Sequence, residues 1–287
     1  KKMEPHPLNL RVELDMAGRK HFVEYLALLR MFAAWPGDKV IAAAAVARAH
    51  EVLAWTDLPD YHDLARLNDE RFNRDSMSYL RAAVLAGYFG WDTAPYLAHI
   101  RRVLPRFDAA LPHRGIDQQM SFGVLYKKLG LPGAPSRAAL YPRSRIAKLT
   151  PFPYWVRHPK QVYDFTHEVF AMTGRGARKF PFARPIEQKY ARKVAHTLLH
   201  IHMTEKNHDA VAELLVNRAL LQDARGPQVP VARAFLLRGQ EASGRFGHYV
   251  AADARKAFKN PKYDVEYGGH IHTTMVSLWA LMLTNVH

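Results

Sequence analysis

The chain has 287 residues, 48% of them hydrophobic, with 41 Lys or Arg against 26 Asp or Glu, and no cysteine. That length and apolar content suit one large domain or two ordinary ones with a sizeable core. The lack of cysteine excludes disulfides, thiolate nucleophiles and Cys-ligated zinc, and a cytoplasmic protein is the simpler expectation.

The net charge of +15 is unevenly placed: between Arg137 and Lys193 stand thirteen Lys or Arg against Asp164, Glu168 and Glu187. Such a patch steers acidic partners. Beside a plain solvated face, it points to an acidic protein such as a carrier protein, or to an anionic small molecule. Nucleic acid is less favoured, because no nucleic-acid module is legible. No apolar run follows Lys1-Lys2-Met3, so no signal peptide is expected. The longest apolar runs, such as Val40 to Ala47, are too short to span a bilayer.

In chain order, residues 1–17 read as a loose lead-in with Pro5 and Pro7. Helical periodicity starts at His21 and runs to Trp35, where Pro36-Gly37 ends it. Asp38 is placed to cap an alanine-rich helix from Lys39 to Trp55. A polar helix is expected over Asp57–Arg71, a break at Asn73–Asp75, then helices over Ser76–Phe89 and Trp91–Leu111. Gly115 to Leu129 gives another, closed by Gly130. Residues 131–158 carry Pro142, Pro151 and Pro153, which argue for an irregular basic connector. Helices resume over Pro159–Thr173, from Pro185 to Lys206, over Asp209–Gln222 and over Val229–Glu241. The last is expected over Met275–Asn285, opened by Thr273 and Thr274. No strict alternation sits beside hairpin turns, so strands are not expected. The reading is all-α: a single domain over 18–287, built of antiparallel helical hairpins.

Gln240, then Ser243-Gly244-Arg245-Phe246-Gly247, then a Thr-led helix with Leu278-Trp279-Ala280-Leu281, resembles the repeat of α/α-toroid proteins such as terpenoid cyclases and protein prenyltransferase β subunits. The likeness covers about 47 residues. It implies an α/α barrel or toroid, complete or lacking part of its N-terminal side. Asp164-Phe165-Thr166-His167 is also similar to a helix start in helical proteins found beside actinobacterial biosynthetic genes. The toroid families' Asp-x-Asp-Asp, Asp-Asp-x-x-Asp and Cys-containing zinc motifs are missing, so the fold carries over and the chemistry does not.

In a toroid, inner helices bring one set of ends to a common mouth. The polar residues at such ends are Asp117, then Asp164 with His167, then His270 and His272. Asp164 and His167, three apart, share a helix face. Asp117, Asp164 and His167 are the candidate catalytic groups, and His167, His270 and His272 the candidate ligands of a divalent metal, zinc or iron. Tyr163, Trp155, Arg157 and His248 are candidates for substrate contact. Each has a plain structural alternative: a helix-start charge for the two acids, a hydrogen-bonded core group for the histidines, aromatic packing for Tyr163 and Trp155. His196 and His200 have chelating spacing, but no Glu follows His196, so the metalloprotease motif is absent. Glu205, His208 and Asp209 read as capping and surface groups. The expected function is a tailoring enzyme of natural-product metabolism. The alternative is a scaffold recruiting an acidic partner.

Overall fold

The computed structural model describes residues 18–58, 61–177, 179–247 and 265–285, with the backbone alone for 265–271. The lead-in and His248 lie outside these residues. Among the described residues the chain is all-α, the only extended pairing being an isolated bridge between Gln240 and Phe246. The helices are α1 (Gly18–Ala33), α2 (Lys39–Leu53), α3 (Asp69–Tyr88), α4 (Ala94–Ala110), α5 (Ile116–Leu129), α6 (Arg137–Leu140), α7 (Phe152–Val156), α8 (Gln161–Thr173), α9 (Pro185–Thr204), α10 (His208–Leu220), α11 (Gln228–Arg238) and α12 (Val265–Leu283). Two compact units divide the chain: one takes residues to Arg114 together with Leu125–Ala134, the other Gly115–Val124 and everything from Pro135.

In the first unit α1 packs on α2 and α3, and α3 on α4. Asp38 caps α2 as expected, accepting from the amides of Val40 and Ile41 at 2.8 and 3.1 Å. The polar helix expected over 57–71 is not formed. Leu58 is extended (ψ 130°), the conformation a residue before proline prefers, and only short 3₁₀ turns at Ala54–Asp57 and Leu64–Arg66 flank it. The break expected at Asn73–Asp75 is also absent. Asn68 caps α3 by accepting from the Arg71 amide at 3.0 Å, and Asp75 is drawn inward by Arg19 and Arg74 at 3.5 and 3.3 Å. Those residues read as a turn because their side chains are polar. Asn73 and Asp75 also find partners elsewhere in the unit, Arg114 and Arg19.

The second unit is organised round α10. Every residue from Asp209 to Arg218 is buried, and α8, α9, α11 and α12 pack against it. Each wholly buried Leu or Val there contributes about 1.5–3 kcal/mol. Contacts fix the directions. Tyr163 of α8 meets Asp209 and Thr166 meets Glu213, so positions rise together and the two helices run parallel. The end of α11 returns to the start of α10, where Phe235 stacks on His208 at 4.6 Å. Thr273 of α12 meets Asp209, and further along α12 Leu281 and Thr284 accept from Arg233 of α11. Thus α8, α10 and α12 run the same way.

The connector is irregular yet anchored. Wholly buried Glu168 accepts the amides of Arg145 and Ile146 at 3.0 and 3.1 Å and the Arg145 guanidinium at 3.3 Å. Glu187 takes the Tyr141 hydroxyl and the Ala183 amide. Among the described residues the last helix extends back to Val265, ahead of the expected opening at Thr273 and Thr274, so His270 and His272 stand inside it.

Candidate metal centre

Three parallel helices bring ionisable side chains together at one level. From α10 come Asp209 and Glu213, four apart and on one face. From α12 comes His272, whose Nε2 lies 3.3 Å from Glu213 Oε1 and 3.6 Å from Asp209 Oδ1. One ligand atom from each of these three residues lies within 4.8 Å of the others. From α8 comes His167, with Nε2 3.8 Å from Glu213 Oε1.

The carboxylates are wholly buried, His272 is 15% exposed and His167 is 49% exposed. The cluster therefore has a closed side and an open side. Hydroxyl donors fix the two carboxylates, on both oxygens of Asp209 and on the outer oxygen of Glu213. Tyr163 donates to Asp209 Oδ2 at 2.9 Å, Thr273 to Asp209 Oδ1 at 3.1 Å, and Thr166 to Glu213 Oε2. Such outer contacts orient carboxylates towards a common point.

Burial pushes the Asp209 carboxyl up, and the charge of Glu213 beside it adds to the shift; His272, Tyr163 and Thr273 offset it only in part. Burial also acts to raise Glu213, but hydrogen bonds and charge from His167 and His272 win and hold it far below the usual carboxylate range. The pair thus splits into one carboxyl that keeps its proton readily and one that stays ionised.

Next to the open side, rings run away from the carboxylates. Tyr163 and His167 are 6.2 Å apart, His167 and Phe170 6.1 Å, Phe170 and Trp279 5.2 Å. The Arg175 guanidinium closes the row, 5.5 Å from the Phe170 ring and 5.9 Å from Trp279.

The structure brings His167, His272 and Tyr163 together as the sequence suggested, and separates other candidates from them. Asp164 accepts from Tyr154 at 2.7 Å and pairs with Arg145 at 3.5 Å, so it serves the connector. Asp117 lies in the first turn of α5, outside the cluster. Trp155 is buried and donates to Tyr190 at 2.7 Å, and Arg157 is exposed at the end of α7. The side chain of His270, like His248, lies outside the described residues. His196 and His200 are exposed, while His202 is buried and faces Glu205 at 2.9 Å.

Asp209 and Glu213 are the residues the sequence reading missed. The acid next to the Asn207 cap reads as a helix-start charge. The available signal was the rest of the helix: Asp209, Glu213 and Asn217 fall at i, i+4 and i+8 in an otherwise apolar stretch with no solvated face for them.

The basic segment is partly committed inside the unit. Arg137 donates to the Met172 carbonyl, Arg145 to Glu168, Arg184 to Glu187, and Arg192 to the Leu221 carbonyl. Among the described residues, no helix is long and apolar enough to cross a membrane.

No curated protein and no solved structure matches the chain. A family model described as a domain of unknown function, DUF6895, matches residues 7–282. With nearly its whole length matched, the chain belongs to the DUF6895 family.

Proposed function

We propose that the chain is a metal-dependent enzyme that holds one divalent ion, zinc or iron, on Asp209, Glu213 and His272 and acts on an anionic small molecule. The observation that carries this reading is the pair of wholly buried carboxylates facing one imidazole. Burying an ion costs several kcal/mol, and on the closed side the two acids have only His272 beside them, the half-exposed His167 standing at the open side. A divalent cation balances two carboxylates and a neutral imidazole. Ligand spacing supports it: atoms round a tetrahedral ion with bonds of about 2.1 Å stand roughly 3.4 Å apart, and those of His272 lie 3.3 and 3.6 Å from the two carboxylates. The donor set is oxygen and nitrogen without sulfur, which suits zinc or iron.

An ion held there supplies a Lewis acid. The chain's own groups do the rest. Tyr163, Thr166 and Thr273 fix the carboxylates, and His167, reachable from solvent beside Glu213, is the group placed to move a proton. The rings leading to Arg175 offer an anion a surface beside the open side. An assignment to natural-product tailoring rests on the likeness of Asp164-Phe165-Thr166-His167 to helical proteins beside biosynthetic genes rather than on this cluster. This reading needs no closed ring of helices, since three helices of one unit suffice.

The test is metal analysis of the full chain after exposure to zinc or ferrous ion and dialysis. One ion per chain is expected in the native protein and none in Glu213→Gln combined with His272→Ala, with helical content unchanged by circular dichroism. Stoichiometric metal in the double variant, or none in the native chain, would sink the assignment.

A further inference from the structure

The first unit contains a cavity of about 420 Å³ whose lining includes Arg30, Tyr88, Thr93, Leu97, Lys128 and Leu129. That volume is within the range of small-molecule sites. Among the described residues no acidic side chain lines it. Arg30, in the last turn of α1, is half-buried with its guanidinium 5.0 Å from the Tyr88 ring. Among the described residues it has no carboxylate or carbonyl partner. A cation–π contact of this kind leaves the N–H donors of the guanidinium for another acceptor. Lys128, at the end of α5, adds a second cation, and Leu97 and Leu129 supply apolar wall.

We infer that this cavity is a binding site for a small organic anion, its charged group on Arg30 and Lys128 and its apolar or aromatic body against Leu97, Leu129 and Tyr88. The site lies wholly within the first unit, whereas the metal cluster lies wholly within the second. It therefore stands independently of the proposed enzyme activity. A half-buried cation that meets no carboxylate among the described residues favours an anionic ligand. A bidentate carboxylate or phosphate gains charge-assisted hydrogen bonds there.

Calorimetric titration of the full chain with 1-naphthoate, 1-naphthyl phosphate and 1-naphthol tests this, since the three share one body and differ in charge. At least one anion is expected to bind one-to-one and about tenfold or more tighter than the naphthol. Arg30→Gln should weaken it by about tenfold. Lys128→Gln, a change at an exposed position that carries the test if Arg30→Gln fails to fold, should weaken it several-fold. Arg157→Gln, in the other unit, should leave it unchanged. Which anion wins tells carboxylate from phosphate. Equal affinity for naphthol and both anions, unaltered anion binding in Arg30→Gln and Lys128→Gln, or an equal loss in Arg157→Gln would overturn the inference.

Discussion

The proton on Asp209 couples the buried cluster to pH. Burial raises its carboxyl above the ordinary value near 3.8, with the Glu213 charge adding to the shift. A metal needs the ionised form, so proton and ion compete for this residue. Metal affinity, followed by chelator competition from about pH 8 to about pH 5, is expected to fall as pH drops, beginning above the usual aspartate range. A flat profile would show that Asp209 is no ligand. Tyr163 is a positioning residue, since its hydroxyl fixes Asp209 Oδ2. Tyr163→Phe is expected to lower metal affinity by about 10–100-fold with the fold retained. His167, His272 and Tyr163 were legible because their side-chain types announce chemistry. Asp209 and Glu213 were not, because an acid near a helix start has a commonplace explanation and burial alone distinguishes the two cases.

The helices that deliver these residues are held by small contacts at their ends. The turn from Gln240 to Phe246 is closed by Gln240 donating to the Gly244 carbonyl at 3.1 Å, with Gly244 left-handed at φ +89°. It docks on α12 through the Phe246 amide, 3.0 Å from Thr274 Oγ1. Gly239 and Gly247 then approach His208, the residue before Asp209; an added Cβ would lie 2.2 Å from His208 Nε2 and 2.7 Å from its Cγ, respectively. His208 is pinned by Phe235 and has little room to yield. Gly239→Ala is expected to cost about 1–3 kcal/mol by overpacking and to lower the thermal midpoint. An unchanged midpoint would mean that this end of α10 is loose. The connector depends on Glu168 in the same way. Glu168→Ala strands the buried Ile146 amide and the part-buried Arg145 amide and should cost about 3 kcal/mol, with new proteolytic cutting around residues 144–150. The motif at 240–247 was visible as a turn. Its seat on the start of α10 was not, because side chains 30 residues apart carry no shared local signal.

For the whole molecule, each unit holds buried ionisable groups of its own. In the first, His62 contacts Tyr79 and lies within ring contact of Tyr61, Tyr96 and His99. Burial, helped by Arg102, pulls His99 down to about 4. The unfolded chain binds that proton near 6.5 and the folded chain only near 4, so stability is lost as pH falls between these values and the loss levels off below them. Thermal unfolding from about pH 7 to about pH 4 should show this decline, and His99→Gln should flatten it. The same slope in the variant would assign the effect elsewhere.

What the sequence alone determined is the all-α class, most helix positions, the Asp38 cap and the irregular basic connector. These follow from periodicity, proline and capping, which act within a few residues. Tertiary structure alone decided that α3 runs through Asn73–Asp75, that α12 takes in His270 and His272, and that Asp164 serves the connector while Asp209 and Glu213 face His272. Local propensities there are worth about a kilocalorie or less per residue. Burial and charge pairing between distant segments are worth several times more, and they are settled only when the helices pack.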